Sequence, residues 1–226
     1  MRKALVPAAV AIVAALLAAV AAGAQARHPV SGRVIAPVMG VGGAAWLDRP
    51  ERDSEEHTTR ALEALDLRPG MTVADIGAGS GYYTVRMARL VGPSGRVYAT
   101  DIQPGMIEIL KRRLAEQRLD HVVPVLGTAE NPGLPAGAID LALMVDVYHE
   151  LSSPQTFMRR LREALAPAGR LVLVEYRKED PRVPIQPLHK MSVAQVGQEL
   201  GADGYTIDRV IDVLPWQHMI VLRRTE

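Results

Sequence analysis

The glycine-rich segment MTVADIGAGSGYYTVRMA, residues 71–88, constrains the fold more than any other feature of the chain. An apolar run reaches Asp75 and is followed by three glycines at G-x-G-x-G spacing: Gly77, Gly79 and Gly81. Such a turn between a strand and a helix lets a ligand approach the backbone and the helix N–H groups. The dinucleotide fingerprint needs a small residue at its sixth position, where this chain has Tyr82. The spacing therefore favours a nucleoside over a dinucleotide, and the anionic Asp75 suits a cationic ligand.

Strand-like and helix-like segments alternate after this turn. The predicted strands are residues 71–76, 96–100, 122–126, 139–145, 170–175, 205–213 and 218–223, and the predicted helices are 82–90, 104–119, 154–165 and 192–200. This order is typical of a mostly parallel sheet with helices on both faces. We predict one Rossmann-like α/β domain at 53–226 with seven strands, preceded by an extended arm at 27–52.

The composition excludes several classes of protein. Basic and acidic residues are nearly balanced, 26 against 25, which argues against nucleic acid as a partner. The chain has no cysteine, so disulfides, zinc–thiolate sites and cysteine nucleophiles are ruled out. Its 226 residues suffice for one domain with a sizeable core.

The first 26 residues have the pattern of an export signal. Arg2 and Lys3 precede an uncharged, alanine-rich run, and Ala24-Gln25-Ala26 forms an A-x-A cleavage pattern. We expect cleavage after Ala26. The alternative is an uncleaved anchor, the only contact with a membrane that we expect, because the run is nearly long enough to span a bilayer. In both cases the domain would lie outside the cytosol: periplasmic, secreted or anchored at the inner membrane.

Four segments, in this order, resemble the motifs of the class I S-adenosylmethionine-dependent methyltransferases. They are VADIGAGSGYYT, VYATDIQPGM, GTAENPGLPAGAIDLALMVDVYHEL and LREALAPAGRLVLVEYR. The resemblance extends from about residue 55 to the C-terminus and is closest to the ubiquinone/menaquinone-type C-methyltransferases. The stretch WLDRPERDSEEH of this chain is similar to one in an exported bacterial branch of the family. The resemblance implies S-adenosyl-L-methionine as cofactor, a small-molecule methyl acceptor and an antiparallel C-terminal strand.

The resemblance also implies which positions hold the cofactor. Asp101, at the end of the second strand, would bind the ribose hydroxyls, as acids do at this place in nucleotide-binding sheets. Thr128 stands where many relatives have an acid that accepts a hydrogen bond from the adenine amine, and its hydroxyl is a weaker acceptor. The complete set is Asp75, Gly77, Gly79, Gly81, Asp101, Ile102, Thr128, Ala129, Glu130 and Asp146.

The ends of the fourth and fifth strands carry the candidates for chemistry, because ligands bind outside the carboxyl ends of parallel strands. His149 titrates near neutrality and is the best candidate for a general base. The alternative is a structural histidine bonded to the neighbouring backbone. Tyr148 is the second catalytic candidate, as a wall of the pocket. Glu150 would cap the next helix or pair with an arginine of the arm.

Further residues are candidates for the acceptor site. They are Trp46 and Arg49 in the arm, Glu175 and Tyr176 at the fifth strand, and His189 and Lys190 in a proline-rich loop. For the arm and the loop, packing or a solvated surface is the alternative. Asp146 and Glu175 lie where catechol-methylating relatives bind magnesium. Because Tyr176 replaces the asparagine of those sites, we predict no metal.

Two other functions stay open. An exported nucleoside-binding protein could keep this fold without catalysis. A dehydrogenase is third, because Tyr82 disfavours a dinucleotide. The intact glycine turn and Asp101 favour a working cofactor site.

Overall fold

The computed structural model describes residues 25–225, so the predicted leader lies outside the described residues except for Gln25 and Ala26. These residues form eight strands: β1 Thr72–Ile76, β2 Arg96–Asp101, β3 Val122–Leu126, β4 Ile139–Val145, β5 Leu165–Arg177, β6 Lys190–Met191, β7 Tyr205–Ile211 and β8 Gln217–Arg224. The helices are α1 Ala44–Leu47, α2 Arg52–Glu56, α3 Thr58–Ala64, α4 Tyr82–Val91, α5 Pro104–Gln117, α6 Pro154–Ala164 and α7 Val193–Gly201. Short 3₁₀ turns cover Val41–Gly43, Tyr148–Glu150 and Pro187–His189.

The sheet has the order β3-β2-β1-β4-β5-β8-β7, with the two-residue β6 pairing beside β5. Strands β1 to β5 pair in parallel, whereas β8 runs antiparallel to both β5 and β7. This arrangement confirms the predicted Rossmann-like fold. Because the carboxyl ends of β1, β2, β4 and β5 meet at one edge, the residues that follow these strands converge there.

Two apolar clusters, one on each face of the sheet, form the core. One cluster contains Leu62, Met87 and Leu110 of helices α3, α4 and α5. The other contains Leu161 of α6 and Leu200 of α7. The sheet residues between them are apolar on both sides, as expected for parallel strands covered by helices.

Strand β5 starts five residues earlier than predicted. The segment Ala166-Pro167-Ala168-Gly169 was expected to end helix α6 and separate it from the strand. Instead Leu165 pairs with Ile139 of β4, and a register shift follows before Leu141 pairs with Arg170. A Cβ at Gly169 would lie 2.4 Å from the carbonyl oxygen of Ile139, so only glycine lets the two strands approach this closely.

The arm, residues 27–52, is extended only in its first part. Arg27 and Val34 form an isolated antiparallel bridge, and the chain then forms the 3₁₀ turn Val41–Gly43 and helix α1. The segment Ala44-Ala45-Trp46-Leu47 contains good helix formers, which explains the departure from an extended conformation. The arm lies over the carboxyl edge of the sheet, where Met39 O accepts a hydrogen bond from Gln103 Nε2.

Among residues 25–225, no helix has the length and apolar character needed to cross a membrane.

Candidate active site

A cavity of about 470 Å³ lies at the carboxyl edge of the sheet, a size typical of small-molecule sites. The arm covers one side of it, and the turns after the strands form its floor. Its lining consists of Pro37, Val38, Met39, Trp46, Leu47, Arg52, Ile76, Gly77, Gly79, Thr100, Asp101, Ile102, Gln103, Met106, Thr128, Ala129, residues 145–147 and 149–152, Phe157, Tyr176, Ile185 and His189.

Two glycines of the turn after β1 line the cavity, and a Cβ at either position would press on a neighbouring side chain. Gly77 has a φ of 68°, and a Cβ there would lie 2.5 Å from Val147 Cγ2. Gly79 has a φ of 54°, and its Cβ would lie 2.7 Å from Leu47 Cδ1. Positive φ values favour glycine. Gly81 lies outside the lining and occupies the position before the first residue of α4.

Asp101 lies at the carboxyl end of β2 and lines the cavity. Its Oδ2 accepts a hydrogen bond of 3.0 Å from Gly79 N–H, and its Oδ1 accepts one of 2.8 Å from Gln103 N–H. Burial raises the pKa of this carboxyl, although the two backbone donors oppose the rise. The two bonds fix the carboxylate against the glycine turn, and its remaining lone pairs are available to hydroxyl groups of a ligand.

Asp75 is buried behind the glycine turn and does not line the cavity. Its Oδ2 accepts a hydrogen bond of 2.5 Å from Thr84 Oγ1 of helix α4. Burial raises the pKa of Asp75 to about 6, against the effect of this hydrogen bond. The structure therefore connects Asp75 to the packing of the turn on α4.

The loop after β3 is held together by the hydroxyl of Thr128. Its Oγ1 accepts hydrogen bonds from the N–H groups of Glu130, at 3.3 Å, and Asn131, at 3.1 Å. Because the hydroxyl oxygen already serves these donors, it is poorly placed to accept from an adenine amine as predicted. Ala129 and Ile102 line the cavity, whereas Glu130 is exposed and lies outside the lining.

Asp146 follows β4 in the left-handed conformation, with a φ of 55°, which is uncommon for a non-glycine residue. Gln217 Nε2 donates a hydrogen bond of 2.8 Å to its Oδ2. The buried Oδ1 has no hydrogen-bond partner in the part of the chain that the structure describes. Burial and the nearby Glu175 raise the pKa of Asp146 well above its usual value. A cationic group in the cavity would satisfy this carboxylate.

His149 lines the cavity, and Glu175 contacts the ring nitrogen that faces away from it. Its Nδ1 lies 2.6 Å from Glu175 Oε2, and Glu175 Oε1 accepts a hydrogen bond of 3.0 Å from Tyr148 N–H. On the cavity side, His149 Nε2 lies 2.9 Å from Nδ1 of His189. Burial opposes the charged form of His149, but Glu175 outweighs it and the pKa is raised.

Tyr148 does not face the cavity, contrary to the prediction. Its side chain is fully buried in the cluster that contains α6 and α7, and its hydroxyl lies 3.2 Å from Nε2 of His28 in the arm. Burial raises the pKa of this phenol far above its usual value. Tyr148 therefore packs the 3₁₀ turn against the core, and we assign it no catalytic part.

The comparisons with known proteins agree on one family. Residues 73–169 match a family model described as a methyltransferase domain. The chain is 34% identical over 136 residues to a protein-L-isoaspartate O-methyltransferase of Methanothrix thermoacetophila, covering 57% of this chain and 62% of that protein. It is 31% identical over 118 residues to a ubiquinone/menaquinone biosynthesis C-methyltransferase of Hahella chejuensis, covering 52% of this chain and 47% of that protein.

A solved structure supports the same family. The crystal structure of a SAM-dependent methyltransferase from Aquifex aeolicus matches with a TM-score of 0.77 at 27% identity, covering 82% of this chain and 98% of that one. The chain belongs to the class I S-adenosylmethionine-dependent methyltransferases. Membership confirms the resemblance seen in the sequence, and with it the cofactor, S-adenosylmethionine. The matched region spans less than two thirds of either curated relative.

The methyltransferase cavity includes only some of the residues predicted to meet an acceptor. Trp46, Tyr176 and His189 line it. Arg49 instead pairs with Glu56, through a bond of 2.7 Å from Nη2, and its guanidinium stacks on Trp46 at 4.0 Å. Lys190 Nζ points to the carbonyl of Asp180 at 3.3 Å and lies outside the lining.

Arg52 and Glu150 have a larger part in the site than the sequence indicated. Arg52 is buried, donates to Glu56 at 2.9 Å and lies over the ring of Tyr82 at 4.4 Å. Glu150 lines the cavity beside His149 and His189 and neither caps α6 nor pairs with an arginine of the arm. Burial raises the pKa of Glu150 to about 7. A turn residue such as Glu150 gives no periodic signal that could have revealed its direction.

Proposed function

We propose that this chain transfers the methyl group of S-adenosylmethionine to a small-molecule acceptor bound in the same cavity. One observation carries the proposal: the cavity joins Gly77, Gly79 and Asp101 at one end to His149 and Tyr176 at the other. Methyl transfer from a sulfonium is an in-line displacement, so holding both reactants in one enclosed space supplies much of the rate. The arm covers one side of this space.

The charges of the lining fit the amino-acid part of the cofactor. Arg52 is the one arginine or lysine in the lining formed by the described residues, and it would pair with the carboxylate of the methionine moiety. The buried Oδ1 of Asp146, without a partner among residues 25–225, would meet the ammonium or the sulfonium. The adenosine would extend towards Asp101, with Ile102 and Ala129 beside the base.

The remaining lining favours an apolar acceptor with one polar group. Val38, Met39, Trp46, Phe157 and Ile185 are all apolar and would contact a ring or hydrocarbon body. The polar groups on the acceptor side of the cavity are concentrated at His149, Glu150 and His189. We therefore infer that the acceptor presents a hydroxyl-type nucleophile to His149.

The cofactor assignment predicts a specific loss of affinity. Replacing Asp101 with alanine removes hydrogen bonds between a charged group and the ribose, so we expect binding of S-adenosylhomocysteine to weaken by about 1.5–3 kcal/mol, roughly 10–150-fold. Calorimetry on wild type, on Asp101→Ala and on the exposed control Asp120→Ala measures this. Equal affinity in all three proteins would remove Asp101 from the site. NAD, titrated in parallel, should not bind.

Transfer itself is tested by incubating the protein with S-adenosylmethionine carrying a labelled methyl group and with extracts fractionated by polarity. We expect label in a small, apolar, hydroxyl-bearing compound. Tight binding of S-adenosylhomocysteine with no label transferred to any fraction would argue for a binding protein instead. This outcome needs a direct assay because a fold alone does not establish a reaction.

We also infer that the domain acts outside the cytosol. The support is the basic start, apolar run and Ala24-Gln25-Ala26 of the sequence. Expressed in a bacterium with its leader, the protein should be recovered from the periplasm with Arg27 as its first residue. Mass spectrometry of the intact chain checks this, and a cytosolic product that retains Met1 would contradict it.

A further inference from the structure

Three potential metal ligands meet on the acceptor side of the cavity. They are His149 Nε2, His189 Nδ1 and Glu150 Oε1, on the 3₁₀ turn after β4 and in the loop before β6. The two nitrogens are 2.9 Å apart. The carboxylate oxygen lies 3.9 Å from His149 Nε2 and 4.0 Å from His189 Nδ1. All three residues line the cavity.

The size of this triangle matches metal coordination. The point equidistant from three atoms separated by 2.9, 3.9 and 4.0 Å lies about 2.1 Å from each of them, within the range of zinc–nitrogen and zinc–oxygen bonds. The triangle has no obtuse angle, so this point lies between the three atoms. An ion there would leave both faces of the ligand plane open to further ligands.

The contact between Glu175 and His149 also fits a role for His149 as a metal ligand. Metal-binding histidines usually donate their second ring N–H to a carboxylate, which fixes the tautomer and directs the other nitrogen at the ion. Glu175 Oε2 lies 2.6 Å from His149 Nδ1, and its second oxygen is fixed by Tyr148 N–H. With Nδ1 protonated, the neutral imidazole presents a lone pair on Nε2 towards His189.

We propose that His149, Glu150 and His189 bind a divalent transition-metal ion whose open positions face the methyl acceptor. Two imidazoles and one carboxylate suit zinc or ferrous iron, whereas magnesium prefers oxygen ligands. This site differs from the Asp146–Glu175 pair considered from the sequence, because both oxygens of Glu175 already hold the turn. The ion would add a positive charge beside the Glu150 carboxylate, which has no arginine or lysine partner among residues 25–225.

The role of the ion rests on the proposed function. An acceptor hydroxyl bound to the ion loses its proton to solvent more readily, because a bound cation lowers the pKa of the oxygen it holds. The oxygen then forms a bond to the cofactor methyl while the methyl–sulfur bond breaks. The electron pair of that bond remains on sulfur, giving neutral S-adenosylhomocysteine. His149 acts here as a ligand, in place of the general base expected from the sequence.

The experiment titrates zinc into the chelator-treated full chain by calorimetry and records the absorption spectrum with cobalt(II). We expect one zinc per chain and cobalt d–d bands that show nitrogen ligands. Glu150→Gln and His189→Gln should each weaken zinc binding by more than the roughly 10–100-fold that loss of an outer partner costs. Glu175→Gln, which changes an outer partner of His149, should weaken zinc binding by roughly 10–100-fold. The controls Glu108→Gln and His121→Gln replace residues outside the cavity and should bind zinc as wild type does.

Several results would overturn the proposal. One is less than one zinc per chain; another is an unchanged cobalt spectrum in Glu150→Gln and His189→Gln, both verified by melting curves to be folded. Either means that the His149–His189 contact is a hydrogen bond only. S-adenosylhomocysteine is titrated into the same samples. Cofactor binding without zinc binding rejects the metal site alone, whereas zinc binding without cofactor binding rejects the proposed function.

Discussion

Replacing His149 with glutamine is expected to lower kcat for methyl transfer by about 10²–10⁴-fold, the range found when a group that activates a reacting proton is lost. The imidazole lines the cavity, and its Nε2 lies 2.9 Å from Nδ1 of His189 in the loop before β6. Affinity for S-adenosylhomocysteine should stay unchanged, because Asp101 and Gly79, which we propose hold the cofactor, follow other strands, β2 and β1. Steady-state kinetics with the acceptor found in the labelling experiment, beside cofactor calorimetry, measures both quantities.

The matched control for this variant is His121→Gln. His121 Nε2 lies 2.9 Å from the carbonyl oxygen of Ala88, outside the cavity, so its loss should leave kcat near the wild-type value. A purely structural His149 would give another pattern: a lower melting temperature, with most of kcat retained at low temperature. That result would exclude an active part for His149.

The local features of this fold could be predicted from the sequence because each depends on neighbouring residues. Strands β3 Val122–Leu126 and β4 Ile139–Val145 have the predicted bounds, since each is an apolar run ended by turn residues. The glycine turn and Asp101 also lie where their spacing placed them. Such patterns identify a strand end, and parallel strand ends share one edge of the sheet.

The direction of side chains in the turn after β4 could not be predicted. Asp146 adopts a left-handed conformation and a 3₁₀ turn follows, so the alternation of the strand stops at this point. Tyr148 then packs into the core while His149 and Glu150 face the cavity. A helix or strand period contains no information about such a change of direction.

The partners of His149 are distant in sequence. His189 is 40 residues away and Glu175 is 26 residues away. The sequence could place Glu175 at a strand end, but the approach of His189 depends on how the proline-rich loop folds back to β6. For this reason the sequence suggested a base and no metal, whereas the structure brings three ligand atoms together.

The arm is fixed to the domain by a buried cluster of charges that the sequence also did not reveal. Glu199 of α7 is fully buried and accepts hydrogen bonds from Arg33 at 3.0 and 3.1 Å. Ser31 Oγ donates to the same carboxylate, and His28 Nε2 lies 3.4 Å from it. Arg33 Nη1 also donates to the backbone carbonyl of His149 at 2.9 Å. The cluster thus connects the arm, which covers the cavity, with the turn that contains His149.

Glu199→Ala is therefore expected to destabilise the fold by about 3–5 kcal/mol, because it leaves Arg33 buried without its partner. For a domain of this size, this corresponds to a fall in melting temperature of roughly 6–20 °C. The control Glu163→Ala removes an exposed pair with Arg160, 2.9 Å apart, and should cost at most about 1 kcal/mol. Thermal unfolding of the three proteins, followed by circular dichroism, measures the difference.

The pH dependence of this effect separates the charge of Glu199 from its packing. Burial alone would raise the pKa of Glu199, but the hydrogen bonds from Arg33 and Ser31 outweigh it and hold the pKa below its usual value of 4.5. A carboxylate with a lowered pKa in the folded state stabilises above its unfolded pKa, and this stability is lost as the pH falls through the folded value. The melting temperatures of wild type and Glu199→Gln should therefore differ at pH 7 and converge as the pH falls below 4.5, through the lowered folded-state pKa. A difference that is constant from pH 7 to pH 3 would assign the effect to packing. Because Arg33 also bonds the carbonyl of His149, the loss of charge at Glu199 should raise KM for the acceptor well below the melting temperature.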